Sequence, residues 1–338
     1  MRMRLFSVAC GLLLLGGQGV FAQSFRFQTI DVPCSTCTAG IALGTQPKGI
    51  NAAGEIVGGF TDAGRRAHGF LLRHGQFTTI DVPGWLVGAA GTLPTSANGI
   101  NPDGDIVGSF TAPYNPPIST TSAIDDPRYC PAANSPACTK GFLYSHGVFS
   151  AVLFPGHPGA VPWHITPDGD IYGCLHDYDF MRSMFGAAWT RFGDSSLTAG
   201  GGEVADPTKS FPSSMNNGAT PGGHVIVGLW ADMNTPSHGH GFIVQNGEFL
   251  SYNVSGSSSL TAIWDINPQG QFVGTYIDST GRHGFLQNPD GSAPIQLDVP
   301  FSGGANTVAN AINPEVFIVG TYTAGGQTRG FVAAPSTD

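Results

Sequence analysis

From Ser24 onward the apolar residues come in short bursts. Some are continuous, as in FLL at 70–72, and others alternate with polar residues, as in QFTTIDV at 76–82, with Gly, Asn, Asp or Pro between most of them. Alternation over a few residues marks a half-buried strand, and Gly or Asx between two such runs marks a tight turn. No long stretch carries the 3.6-residue period of a helix, and strong helix formers are few beside 49 glycines and 25 prolines. The pattern predicts an all-β chain of short strands.

The pattern also repeats. Aligning the Gly that follows an apolar pair gives Gly58, Gly108, Gly173, Gly228, Gly274 and Gly320, at intervals of 50, 65, 55, 46 and 46 residues, a spacing of repeat folds. The copies open GINAAGEIVGGF (49–60), GINPDGDIVGSF (99–110), HITPDGDIYGCL (164–175), SMNNGATPGGHVIVGLW (214–230), DINPQGQFVGTY (265–276) and AINPEVFIVGTY (311–322). Each then reaches a GF-like pair: Gly69-Phe70, Gly141-Phe142, Ala188-Trp189, Gly241-Phe242, Gly284-Phe285 and Gly330-Phe331. Strand, tight turn, strand, loop, strand, tight turn, strand is the plan of a propeller blade. The sixth copy stops after FVAAPSTD without a fourth strand, whereas SFRFQTIDVP (24–33) is an extra one that matches QFTTIDVPG (76–84). The expected fold is therefore a six-bladed β-propeller over residues 23–338, with four antiparallel strands per blade. The N-terminal strand closes the last blade and removes two open sheet edges.

These units resemble the extracellular HAF repeat family, whose unit ends in a His-Ala/Gly-Phe stretch followed by a TID-P strand. HGF stands at 68–70, 240–242 and 283–285, and TIDVP at 29–33 and 79–83. The resemblance covers nearly all of the chain beyond residue 22 and implies a secreted bacterial repeat protein, but it brings no catalytic residue with it. The third copy departs furthest, with FGAAWTRFGDSSL where HGF and the TID strand are expected.

Export is expected independently. Arg2 and Arg4 precede an apolar run and the small-residue site Val20-Phe21-Ala22, the layout of a signal peptide over residues 1–22 cut near Ala22, with a secreted or periplasmic product. Ser7 stands where a lipobox ending at Cys10 would need Leu. No later apolar run is long enough to span a bilayer, so no membrane insertion is expected. Cleavage takes the net charge from -9 to near -11, which disfavours nucleic acid and anionic membrane as partners. Among the five remaining cysteines, Cys34 with Cys37 and Cys130 with Cys138 could each close a disulfide in an oxidising compartment, leaving Cys174 over.

The recurring His invites a metal or a catalytic role, but counting outward from hairpin turns argues otherwise. A two-residue turn at His74-Gly75 pairs Leu72 with Phe77, Phe70 with Thr79 and His68 with Asp81. The same count pairs His283 with Asp298, His240 with Asn253, and Arg329 with Asp31 across the closure. A position that accepts His, Lys140 or Arg is a cross-strand polar pair, since Lys and Arg are poor metal ligands. Asp103, Asp105, Asp168 and Asp170 of the PDGD turns are read as turn chemistry. No metal site and no cofactor motif is expected.

The long insertions, 84–97, 111–139, 174–186, 193–212 and 229–239, all fall on one face, where the innermost strands begin around a central funnel. Those strands start at Lys48-Gly49, Asn98-Gly99, Trp163-His164, Ser213-Ser214, Trp264-Asp265 and Asn310-Ala311. Trp163 and Trp264 are each followed by an ionisable group, and nearby insertions add His176, Asp177, Tyr178, Asp179, Arg182, Trp230 and Asp232. Indole faces among such donors and acceptors suit a sugar, whose C–H face stacks while its hydroxyls are hydrogen-bonded. An extracellular glycan bound by a monomer is the expected function. The alternatives are an enzyme on the same face and a protein-binding scaffold. A glycoside hydrolase would draw two carboxylates from Asp177, Asp179, Asp232 and Asp265. A lyase would use His164, His176 or Tyr178 as base, with Arg182 or Lys48 neutralising a uronate.

Overall fold

The computed structural model describes residues 23–113, 137–153, 161–175, 178–182, 189–192, 205–215, 225–232, 238–245 and 248–336. Strand β1 (Phe25–Ile30) belongs to the final sheet. The first four-strand unit is β2 (Gly44–Ile50), β3 (Ile56–Thr61), β4 (Ala67–Arg73) and β5 (Gln76–Ile80). The second is β6 (Thr95–Ile100), β7 (Ile106–Pro113), β8 (Ala137–Ser145) and β9 (Val148–Val152), and the third is β10 (Val161–Ile165), β11 (Ile171–Leu175), β12 (Tyr178–Arg182) and β13 (Trp189–Phe192). The fourth unit is β14 (Ala205–Met215), β15 (Val225–Asp232), β16 (Gly239–Gln245) and β17 (Glu248–Tyr252). The fifth is β18 (Leu260–Ile266), β19 (Phe272–Ile277), β20 (Arg282–Gln287) and β21 (Ile295–Leu297). A parallel bridge from Gly239 to Leu260 joins these last two into one continuous sheet, a link the repeat pattern does not predict.

The last unit is β22 (Ala305–Ile312), β23 (Ile318–Ala324) and β24 (Gln327–Pro335), completed by β1, which runs antiparallel to β24 from Phe25 opposite Pro335 to Ile30 opposite Gly330. The innermost strands β2, β6, β10, β14, β18 and β22 pack each against the next, and β22 packs back against β2. The described chain is all-β, built of four-stranded antiparallel units joined at both ends. Beside the junction, Cys34 and Cys37 form a disulfide within the loop between β1 and β2. Cys130 lies outside the described residues, as do the side chains of Cys138 and Cys174.

The two recurrent motifs of the sequence are two halves of one contact. Gly58 pairs with Phe70, Gly108 with Phe142, Gly274 with Phe285 and Gly320 with Phe331. Each of these Phe rings is fully buried and lies over its Gly, where a Cβ would come within 2.7 to 2.9 Å of the ring. Aromatic burial of this kind supplies the core's largest apolar contribution per residue.

The HGF histidines are cross-strand partners, as the turn count predicts. His68 Nδ1 lies 2.8 Å from Asp81, His283 Nδ1 2.8 Å from Asp298, His240 Nδ1 2.9 Å from Asn253, and Arg329 donates to Asp31 at 2.7 Å. The structure adds a second carboxylate beyond that count: Asp62 at 3.2 Å from His68 Nε2 and Asp278 at 3.2 Å from His283 Nε2. Opposite the same position stands an aromatic residue two places after the repeat Gly: Phe60 faces His68, Phe110 faces Lys140, Trp230 faces His240, Tyr276 faces His283 and Tyr322 faces Arg329. His68→Gln is expected to lower the unfolding free energy by about 1 kcal/mol in urea titrations, the scale of a partly buried cross-strand polar contact.

Candidate functional site

Every innermost strand carries a β-bulge at the same place. Lys48, Asn98, Trp163, Ser213, Trp264 and Asn310 are each left out of the pairing with the second strand, immediately after the residue that faces the repeat Gly. A bulge re-aims the extra side chain and lets two successive residues turn toward one side of the sheet. All six bulged residues line one cavity of about 490 Å³, together with Gln46, Leu229, Arg282, Val308 and Thr321.

Most of these bulged residues also tie each unit to the next. Asn98 Nδ2 donates to the Pro162 carbonyl at 2.8 Å, Ser213 Oγ to the Ile263 carbonyl at 2.6 Å and Asn310 Nδ2 to the Pro47 carbonyl at 2.8 Å. In each case the acceptor is the residue just before the neighbour's bulge. Lys48 Nζ crosses the same way, donating to Ser96 Oγ at 2.8 Å and Asn98 Oδ1 at 3.1 Å. At the two remaining positions an indole replaces the tie. Trp163 is 43% exposed, and Trp264 is half-buried with its Nε1 enclosed and unpartnered among the described residues.

One residue deeper the funnel narrows to a throat of about 30 Å³, lined by Gly49, Gly99, His164, Asp265 and Ala311 beneath the bulged ring. The inner strands nearly touch there: a Cβ on Gly99 would lie 3.0 Å from the His164 Cα and 3.1 Å from the Trp163 carbonyl. Asp265 is buried and accepts from Ser214 Oγ at 2.5 Å, Ile266 N at 2.9 Å and Ile312 N at 2.8 Å, so one carboxylate links three consecutive inner strands. His164 Nδ1 stands 3.9 Å from Asp265 Oδ1, too far for a hydrogen bond.

Burial pushes the Asp265 carboxyl above its ordinary range, against the pull of His164 and of its three donors, and burial likewise pushes the His164 imidazole down, against the pull of Asp265. His164 is neutral near pH 7. Desolvation also lowers the Lys48 amine to about 8. Past the throat, His164 and Asp265 reach a shallow recess on the tight-turn end, rimmed by Asn51, Asn101, Asn267 and Asn313. There Asn51 donates to the Asn101 carbonyl, Asn267 to that of Asn313 and Asn313 to that of Asn51, a second set of ties between units.

The structure thus brings Lys48, Asn98, Trp163, Trp264 and Asn310 to one wall system, with His164 and Asp265 below it in the throat. Trp230 is a correction. It is fully buried in the core with Tyr172, Phe242 and Phe249, its ring 4.7 Å from His240, because it occupies the aromatic position two residues after the repeat Gly. His176 and Asp177 lie outside the described residues. Tyr178, Asp179 and Arg182 lie on β12 and Asp232 ends β15, with side chains outside the described residues. Among the described residues no carboxylate lines the cavity, and no group of three His, Cys, Asp or Glu comes together to hold a metal. Gln46, Arg282 and Thr321 are the polar residues that the sequence reading missed. Gln46 sits two places before Lys48 on one strand face, a visible signal, whereas Arg282 enters from β20, which strand-start alignment does not sample.

No protein-family model matches the chain, and no curated protein sequence matches it. Solved structures of similar shape include a protein of unknown function from Dyadobacter fermentans, at 12% identity and TM-score 0.49 over 92% of this chain and 99% of that one. A gluconolactonase from Xanthomonas campestris aligns at 12% identity and TM-score 0.44, over 94% of this chain and 99% of that one. A lectin from Aleuria aurantia, in complex with Fucalpha1-6GlcNAc, aligns at 10% identity and TM-score 0.42, over 87% of this chain and 95% of that one.

Proposed function

We propose that this chain is an exported, monomeric six-bladed β-propeller of the HAF-repeat type, released by cleavage near Ala22, that binds carbohydrate in the cavity at the long-loop mouth. The observation that carries this reading is the replacement pattern within the bulged ring. At the other bulged positions the side chain is engaged in tying neighbouring strands, whereas Trp163 and Trp264 are not so engaged and turn indole surface to one cavity. A volume of about 490 Å³ is in the range of small-ligand pockets. Two aromatic platforms beside amide, hydroxyl and cationic groups match a sugar's alternation of C–H faces and hydroxyls.

In glycan-array and affinity-gel binding, Trp163→Ala and Trp264→Ala are each expected to weaken retention about tenfold, equivalent to about 1.4 kcal/mol. His68→Gln, on the outer strands, is expected to bind as the parent does. Unchanged binding in both Trp variants overturns the assignment.

A second reading, catalysis on a polysaccharide, is favoured by one observation: an amine lowered to about 8 in a cavity wall is a competent general base near neutral pH. With no carboxylate on the cavity wall among the described residues, β-elimination suits the geometry better than hydrolysis. Incubation with a polysaccharide panel separates the readings. A binder yields neither new reducing ends nor absorbance near 235 nm, a hydrolase yields the first alone, and a lyase yields both.

A further inference from the structure

We infer that the ligand of this cavity is an acidic saccharide, recognised through its carboxylate by Lys48 and Arg282. The inference rests on the carbohydrate reading above and names the charge class of the ligand.

Three observations lead to it. The first is a local inversion of charge. The chain carries 23 acidic against 14 basic side chains, yet the described residues lining the cavity include two cations, Lys48 and Arg282, and no carboxylate. A walled cavity of one sign concentrates ions of the other, more strongly than exposed charges do. Among the described residues, the lining of this cavity therefore favours an anion although the chain as a whole is anionic.

The second is donor arithmetic at Lys48. An ammonium has three N–H donors and no acceptor. Two of them are directed to Ser96 Oγ and Asn98 Oδ1, which hold Nζ in place at the cavity wall. The third has no carboxylate partner among the described residues lining the cavity, so a ligand oxygen can take it. Neither uncharged partner neutralises the amine, so the charge itself is left for the ligand to meet. Arg282, at the start of β20, adds a planar fork suited to a carboxylate.

The third is the identity of the groups facing Lys48. Across the throat stand His164, kept neutral by burial, and Asp265, whose oxygens already accept from Ser214, Ile266 and Ile312. The other residues lining the throat, Trp163, Trp264, Ser213 and Asn310 among them, carry no charge. Among the described residues lining the throat Asp265 is the one carboxylate, and Lys48 directs its hydrogen bonds to Ser96 and Asn98 rather than to it.

Protonation of Lys48 governs both its charge and its third donor, and burial sets the amine at about 8. Below that pH the ammonium offers the spare N–H. Above it, the neutral amine has two N–H groups, both engaged. Affinity for the acidic ligand falls as pH rises through about 8, and binding of the carboxylate near that pH draws a proton onto the protein.

The test uses fragments of galacturonan, alginate and hyaluronan, each paired with its carboxyl-methylated counterpart, titrated calorimetrically into the full mature protein at pH 6.5 and 9. In at least one pair the acidic member is expected to bind tenfold or more tighter at pH 6.5, with the preference reduced at pH 9. Repeating the titration near pH 8 in buffers of different ionisation enthalpy is expected to show proton uptake. Arg282→Gln is expected to weaken the acidic member several-fold more than the methylated one, and Lys48→Met to abolish the proton uptake. Equal affinity within every pair that binds overturns the acidic-ligand inference and leaves the carbohydrate site standing. Absence of binding by both members of all pairs overturns both.

Discussion

Gly58→Ala is expected to lower the unfolding free energy by about 3 kcal/mol, while Gly59→Ala, one residue on, changes it by less than about 1 kcal/mol. The two glycines share strand β3, so intrinsic strand propensity does not separate them. Surroundings do. A Cβ on Gly58 would stand 2.1 Å from the Gln46 carbonyl oxygen and 2.7 Å from the buried Phe70 ring, whereas one on Gly59 meets nothing closer than Ser96 Oγ at 3.3 Å. No rotamer relieves the first clash, because the obstacle is backbone of the inner strand two residues before the Lys48 bulge. Relief requires β2 to move away from β3, which also shifts Lys48 and loosens its bonds to Ser96 and Asn98. Urea unfolding followed by tryptophan fluorescence measures both variants. Equal midpoints for the two would mean that the repeat Gly is not set by this contact.

That Gly was the best signal in the sequence, and its legibility has a physical source. A position that admits no Cβ is restricted to one residue type, so it recurs visibly at 58, 108, 274 and 320. The polar pairs of the third and fourth strands were equally legible, since a two-residue turn fixes register and the His-to-Asp match follows by counting. The bulges were not legible. One extra residue on a strand leaves no pattern of its own, so Trp264 and Asp265 read as two groups at one mouth. In the structure the first lines the cavity and the second sinks into the throat. Trp230 misled for a different reason: viewed as an isolated indole beside an insertion it suggests a ligand, but aligned with Phe60, Phe110, Tyr276 and Tyr322 it is core. Arg282 had no signal at all, because it reaches the cavity from β20 rather than from an inner strand.

Asp265→Ala is expected to cost about 3–5 kcal/mol, the range for removing one member of a buried, charge-assisted network. The loss comes less from the charge than from what it leaves behind. Ser214 O–H, Ile266 N–H and Ile312 N–H all donate to this carboxylate, and enclosed donors without an acceptor cost about 1–3 kcal/mol each before relaxation. Asp265→Asn keeps one acceptor oxygen and is expected to cost about half as much at pH 7.

The pH dependence of the Asn variant separates the carboxylate from mere packing. Burial raises the folded Asp265 value above the unfolded 3.8, so the ionised form costs stability above the folded value, and that cost is relieved as pH falls toward 3.8. His164 runs the other way: burial lowers its folded value below 6.5, so stability is lost as pH falls from 6.5 toward that value. Asp265 moderates this loss by attracting the imidazolium across 3.9 Å. The Asn variant lacks both the relief and the attraction, and both absences act in the same direction. Its unfolding free energy is therefore expected to fall more steeply than the parent's between pH 6.5 and 4, so the gap between them widens on acidification. Parallel curves over that window would show that Asp265 and His164 do not titrate as a coupled pair, and would reduce the throat to a packing feature.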